Sequence, residues 1–475
     1  MLNMQKSLSK PFYGLMALPS TAMGFALSIQ IAALSAILRD KFNLEIHDIG
    51  LVWAAGPISG ILVQVIIGLI SDKAWFWGGR RRPFIIIGGA ISALALLALP
   101  NIGVISASLG IEGIIGVALT VVLVLDLSIN VGFNPTRAII ADLTPEGEAR
   151  TRGYTWMQTI SGTFGVLAYA IGATMGNIFL IYFGIGLVLA FTLIPALLME
   201  EPRDLAGDTP DQIGFDLGLV IKGTQPLWAV FIYNVYALSM RLMDIERTDY
   251  TAEWLCAGAT AILMIRVVAL KKPTPDASGN DMTEFQKIMA AHSFSWLGVQ
   301  AMFVFYYPYL EYALPGQGRE VWEPAINLSF LTLNAVAAIL PALILKPLAE
   351  KIPRVRLQAA CLAIMAGGYV AAYMFGTSAI SLYIIMAVLG IGWAAMVSLP
   401  FAIMSQRIEA NRMGLFMGVF NLSVVLPQLV VSLGIAMWLQ RVEDKGLLFI
   451  VAALSLAISS LLWLRVKPLP QAERI

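Results

Sequence analysis

Apolar runs of roughly 20 residues, parted by short polar loops, recur along nearly the whole of this 475-residue chain. Inside a bilayer only a helix or a closed barrel satisfies its own backbone hydrogen bonds. The two-residue alternation of a barrel strand is missing, so each run predicts a membrane helix. Spans are expected near residues 14–38, 49–70, 84–106, 112–134, 154–175 and 178–199, and again near 290–314, 325–345, 357–375, 379–404, 412–438 and 446–465. The stretch between them is more than a loop. Segments 217–238 and 252–270 are apolar enough to cross, although Lys222, Arg266 and a patch holding Asp244, Glu246, Arg247 and Asp249 interrupt them. The expected fold is therefore an all-α polytopic membrane protein. Its parts are an N-terminal six-helix bundle (1–200), a central segment with two additional membrane helices (201–289) and a C-terminal six-helix bundle (290–475). Because the extra helices come as a pair, the second bundle keeps its orientation.

Composition agrees with the pattern: 58% of residues are hydrophobic and 13% charged, with a mean hydropathy of +0.78. No short cleavable segment precedes the first span, which is expected to be retained. The net charge of +1 argues neither for nor against an acidic partner, and no basic, aromatic-interleaved stretch suggests nucleic-acid binding. Cys256 and Cys361 both sit in apolar runs, and His47 and His292 are far apart, so neither a disulfide framework nor a metal site is expected. Leaving out the central segment, 18 of the Lys and Arg residues near span ends fall on one side and five on the other, which predicts cytoplasmic termini in a cell membrane, the inner one in a Gram-negative cell.

The loop after the second span reads GLISDKAWFWGGRRRPF. Asp72 ends a helix, and Arg80, Arg81 and Arg82 can pair with carboxylates or helix carbonyls as a gate made in one conformation and broken in another. Three arginines that only obey the positive-inside rule are the simpler account. The two halves also echo each other: NPTRAIIADLTPEGEARTRGYTWMQ and LPFAIMSQRIEANRMGLFMGVFN each carry a proline at a helix end, an Arg-bearing loop, then glycine and an aromatic-rich helix. Such a parallel repeat marks one transporter architecture, with its substrate site at the midplane.

Taken together, AAGPISGILVQVIIGLISD, GGRRRPF, LDLSIN with TRAIIADLTPEGEARTR, and GWAAMVSLPFAIMS with GVFNLSVVLPQLVVS resemble the glycoside and sucrose:proton symporter group of the major facilitator superfamily. Within that group the likeness is to bacterial maltose-type transporters related to plant sucrose:proton symporters. The resemblance implies a two-bundle fold that moves a disaccharide or related glycoside with a proton, and it places the proton-coupling carboxylate at Asp126. The proton would be the coupling ion, with no other cofactor and no enzymatic activity. A monomer in the lipid bilayer is expected. Three other readings stay open: a sensor or assembly factor on a transporter scaffold, a sodium-coupled glycoside carrier, and a mover of amphiphiles or pigments.

The fourth span points to the same residue on its own terms. At about 100° per residue, Asp126, Asn130 and Arg137 fall within roughly 40° of one another. An intramembrane carboxylate costs about 2.5–3.5 kcal/mol even on lenient scales, so it should face a cavity or a partner. Burial disfavours its charged form, as a reversible proton site requires. A static ion pair or an amide-capped carboxylate is the alternative. Arg137 lies about 16 Å along the helix from Asp126, too far for a direct pair, so it is assigned to the gate with Asp142 or Asp72 as its partner.

Sugar-binding candidates come from polar and aromatic residues in spans expected to line the centre. In the first span GFALSIQ resembles the family's aromatic-Ala-Leu-Gln pattern, but Ser28 stands where the family commonly has Gln, and Gln30 points to another face. In the seventh span Trp296, Gln300, Tyr307 and Glu311 form one helical stripe. An aromatic stripe broken by an amide suits a glycoside, whose C–H faces lie on rings and whose hydroxyls need paired donors and acceptors. Asn130, Gln158, Trp393 and Asn421 follow on the same logic, with Asn327, Asn334 and Gln428 as further amides. Each could instead fasten helices together.

Overall fold

The computed structural model describes residues 3–73, 75–111, 113–145, 148–203, 217–243, 245, 249–270, 282–407 and 413–468. Every regular element among them is helical. Ten of the helices are long and apolar enough to cross a membrane, among the described residues. The chain divides into two units, Met1–Asp211 with Gln317–Leu331, and Gln212–Gly316 with Thr332–Ile475.

The first unit is built from α1 (Lys10–Phe42), α2 (Ala55–Lys73), α3 (Arg82–Ala98), α4 (Ile114–Leu143), α5 (Glu148–Met175) and α6 (Asn177–Leu198). Local chemistry sets their ends. Pro83 opens α3, where its fixed φ is already helical and its missing N–H has no partner to lose. Asn43 closes α1 in the left-handed conformation, and its N–H bonds back to the last turn. Helices lie at all six expected spans, the second broken at Ala54 and the third passing through a tighter turn at Leu99–Asn101, and α4 continues beyond its expected end to Leu143 through Pro135, Arg137 and Asp142. At the helix ends polar side chains reach past the hydrocarbon, so the apolar run is shorter than the helix. Helix α4 packs against α1, α2 and α3. Its approach to α3 is closest at Gly88, where a Cβ would meet the Ser128 carbonyl at 2.9 Å. An apolar core of Phe12, Tyr13, Met16, Ile85, Ile139 and Ile140 closes the end of the unit near the start of α1.

In the second unit a short helix, Leu217–Gly223, precedes a hairpin of α7 (Trp228–Leu242) and α8 (Thr251–Ile265), so the span expected near 217–238 is two helices and the one near 252–270 is α8. The unit continues with α9 (Met282–Ala313), α10 (Arg319–Leu340), α11 (Arg354–Phe375), α12 (Ala379–Ser405), α13 (Met413–Val430), α14 (Ala436–Arg441) and α15 (Leu447–Trp463). The first turns of α10, up to Leu331, group with the first unit. Ser378 caps α12 in a capping box with Ser381. Helix α9 packs against α13 and α15, and α7 against α8 and α13.

Candidate functional site

Asp126 sits in the middle of α4 and is buried, with 4% of its surface exposed. Its carboxylate Oδ2 accepts a hydrogen bond of 3.1 Å from the Gln30 amide on α1. Among the described residues no cation pairs with it. Gly56 of α2 lies opposite, and a Cβ there would come within 3.3 Å of the same oxygen, so the small residue makes room for the carboxylate. Gln30, on a different face of α1 from Ser28, meets in Asp126 a partner that the sequence did not single out. Only the packing of α1 on α4 brings its amide to Asp126, and periodicity along one helix carries no record of a neighbour.

Asn130, one turn from Asp126, donates to the Ser59 hydroxyl at 2.9 Å and to the Asp126 carbonyl at 2.9 Å, tying α4 to α2. Ser28 turns its hydroxyl back onto the Gly24 carbonyl at 3.1 Å. Gln158 is exposed on α5. Asn327 donates to the Asn177 side-chain oxygen at 2.9 Å within the first unit.

A second polar cluster closes the end of this unit at the GGRRR loop. Asp142 at the end of α4 accepts from Arg81 Nε at 3.0 Å and lies 3.5 Å from Arg80. Arg137, expected to pair with Asp142 or Asp72, makes no ion pair with Asp142 and lies over the Phe133 ring at 4.8 Å, a cation–π contact within its own helix. The Asp72 side chain lies outside the described residues. Glu201, which nothing in the sequence singled out, accepts from the backbone N–H groups of Arg80, Arg81 and Arg82 at 2.8, 2.8 and 2.7 Å. These are the open donors at the start of α3, a natural anion site. Gly79 admits the carboxylate, since a Cβ there would collide with it.

In the second unit the stripe on α9 meets aromatic and amide partners. Trp296 packs edge to face on Trp393 of α12 at 5.9 Å, and Phe303 meets the same indole at 5.2 Å. Gln300 accepts from the Gln428 amide of α13 at 3.0 Å. Tyr307, two turns further along, is fully buried, and Asn421 is half-buried on α13. His292, considered in the sequence only as a metal ligand, belongs to this group. Its Nε2 accepts from Trp296 Nε1 at 2.9 Å, and its ring stacks on Phe420 at 4.8 Å. The four-residue spacing from Trp296 was the visible signal.

Buried Glu284 forms the counterpart of the loop cluster. Lys287 Nζ lies 2.7 Å from it, Arg407 3.6 Å, and the Lys467 backbone N–H donates to it at 2.6 Å. Arg407 also donates to the Lys467 carbonyl.

The chain as a whole is similar to known proteins. The chain is 25% identical to sucrose transport protein SUC4 of Arabidopsis thaliana, over 89% of this chain and 84% of that protein. It is also 25% identical to sucrose transport protein SUT2 of Oryza sativa subsp. indica, over 90% and 87%. Among solved structures it is similar in fold to a D-xylose-proton symporter, with a TM-score of 0.63 and 14% identity across 98% of each chain. The POT family transporter PepTSo compares at 0.64 and 12%, over 96% of this chain and 97% of that one. The Major Facilitator Superfamily profile matches residues 16–432, and the chain belongs to that superfamily of multi-pass membrane transporters.

Proposed function

We propose that this protein is a proton-coupled symporter for a disaccharide or related glycoside of the sucrose or maltose class, working by alternating access. One observation carries the reading: Asp126 is buried in the middle of an apolar helix with an uncharged amide as its partner. A carboxylate so placed is costly to keep ionised, and protonation removes that cost. Binding and release of a proton can then bias two conformations, provided each state binds it differently. Gln30 is best read as the group that orients this carboxylate, and Asn130 as the tether that holds α4 on α2. The relatives named as sucrose transport proteins support the sugar class.

Trp296 and Trp393 supply the rings, and Gln300, Gln428 and Asn421 the hydrogen-bonding groups, that a glycoside needs. The Asp142–Arg81 pair and Glu201 brace the end of the first unit, and the arginine count supports placing this end and both termini in the cytoplasm of a cell membrane. Two six-helix halves with an inserted membrane hairpin, acting as a monomer, complete the proposal. Proteoliposomes with an imposed proton gradient test it. Wild-type protein should take up sucrose or maltose with accompanying proton influx, and Asp126→Asn should not. Sugar uptake indifferent to the gradient would overturn the coupling.

A further inference from the structure

A cavity of about 420 Å³ opens within the second unit, between the α7–α8 hairpin and helices α9, α13 and α14. It falls in the range of small-molecule sites, roughly 300–1,000 Å³. Its one carboxylate lies at one end. Tyr250 and Glu253 lie at the start of α8, and Met437 and Trp438 line the wall beside them on α14. Arg441, one turn beyond Met437, donates to the Tyr250 hydroxyl at 2.7 Å and lies 5.7 Å from its ring centre. A carboxylate and a guanidinium thus flank one mouth.

From there the lining turns apolar. It follows α8 from Glu253 to Met264, about 16 Å by helical rise, close to one leaflet of a bilayer's hydrocarbon core. The hydroxyls along it are already engaged: Thr260 donates to the Cys256 carbonyl at 2.7 Å and Ser293 to the Ala290 carbonyl at 2.8 Å. The deep part therefore suits a hydrocarbon chain, and the mouth a head group carrying both signs of charge.

We propose that this cavity is a binding site for a phospholipid with a primary ammonium, of the phosphatidylethanolamine kind. The ammonium donates to Glu253, the phosphate accepts from Arg441, and one acyl chain runs along α8 toward Met264. A trimethylammonium has no N–H to give Glu253, and a glycerol head group has no cation. The site therefore ranks ethanolamine above choline above glycerol. The hairpin is then a holder for membrane lipid, a role separate from sugar movement.

Nanodiscs holding the full-length protein in equal parts phosphatidylethanolamine, phosphatidylcholine and phosphatidylglycerol, with matched acyl chains, test this by native mass spectrometry after partial delipidation. The expected result is retention of the ethanolamine lipid over the choline lipid by about ten-fold, the worth of one charge-assisted hydrogen bond. Glu253→Gln should erase that preference. Arg441→Gln, at an exposed position, should lower retention of all three lipids alike. Ala257→Leu, which narrows the cavity along α8, should weaken retention of all three lipids while sugar uptake continues. Equal retention of the three lipids by the wild type, an ethanolamine preference surviving Glu253→Gln, or adducts unchanged by Arg441→Gln or Ala257→Leu would each overturn the assignment. So would co-purification of a peptide or a second copy of the chain in the cavity in place of lipid.

Discussion

Asp126 and Glu284 are both buried carboxylates on long apolar helices, one in each unit, yet their surroundings are opposite. Asp126 meets one neutral amide. Glu284 meets Lys287, Arg407 and the Lys467 backbone N–H. The contrast separates two uses of a buried charge. Held between cations and a backbone N–H, a carboxylate fastens helix ends. Facing only an amide, it can be neutralised without stranding a counter-charge, which makes it suited to carry a proton.

The most drastic way to break this comparison is Asp126→Asn. It should reduce proton-coupled uptake to background while leaving sugar counterflow and the thermal midpoint in detergent near wild type. A large fall in that midpoint would make Asp126 a brace like Glu284. Next comes Glu284→Gln, which takes the negative charge from beside Lys287 and Arg407 and should cost about 3–5 kcal/mol of stability, read as a lowered unfolding midpoint. Residual folded protein should still couple sugar to protons, and loss of coupling without loss of stability would reverse the two roles.

A smaller effect sharpens the division between the units. Trp393→Ala removes the indole that Trp296 and Phe303 share, and should raise the half-saturating sugar concentration by about ten-fold, equivalent to roughly 1.4 kcal/mol. The stoichiometry of protons to sugar should stay as it was, and a changed ratio would tie this ring to coupling. The smallest change expected is from Asn130→Ala. Losing its bond to Ser59 should lower stability by about 1 kcal/mol with coupling intact. Abolished uptake in a stably folded Asn130→Ala protein would return this residue to the sugar site.

The helices were legible because a bilayer leaves the chain little choice: a crossing segment must be apolar along its length, and such runs stand out. What lay at their ends was not. Glu284 precedes the apolar run of the seventh span and reads as part of a polar connector, yet α9 starts at Met282 and buries it. Asp126 stood out as a charge in hydrocarbon, whereas its partner Gln30 lies 96 residues away on another helix. Arg137 was correctly separated from Asp126 by helical rise, but its contact with Phe133, four residues back, lost out to the stronger expectation that an arginine finds an acid. The Trp296–Trp393 contact joins two residues already selected, because aromatic side chains in otherwise aliphatic spans are conspicuous.

Glu201 holds the GGRRR loop by main-chain atoms alone, and this makes its grip independent of what the three arginines carry. Alanine scanning of Arg80, Arg81 and Arg82 would leave all three N–H donors in place, so the anchor would pass unnoticed. A proline at position 81 deletes one of them outright. Rewriting these charges would release Asp142 yet leave the three bonds to Glu201 in place.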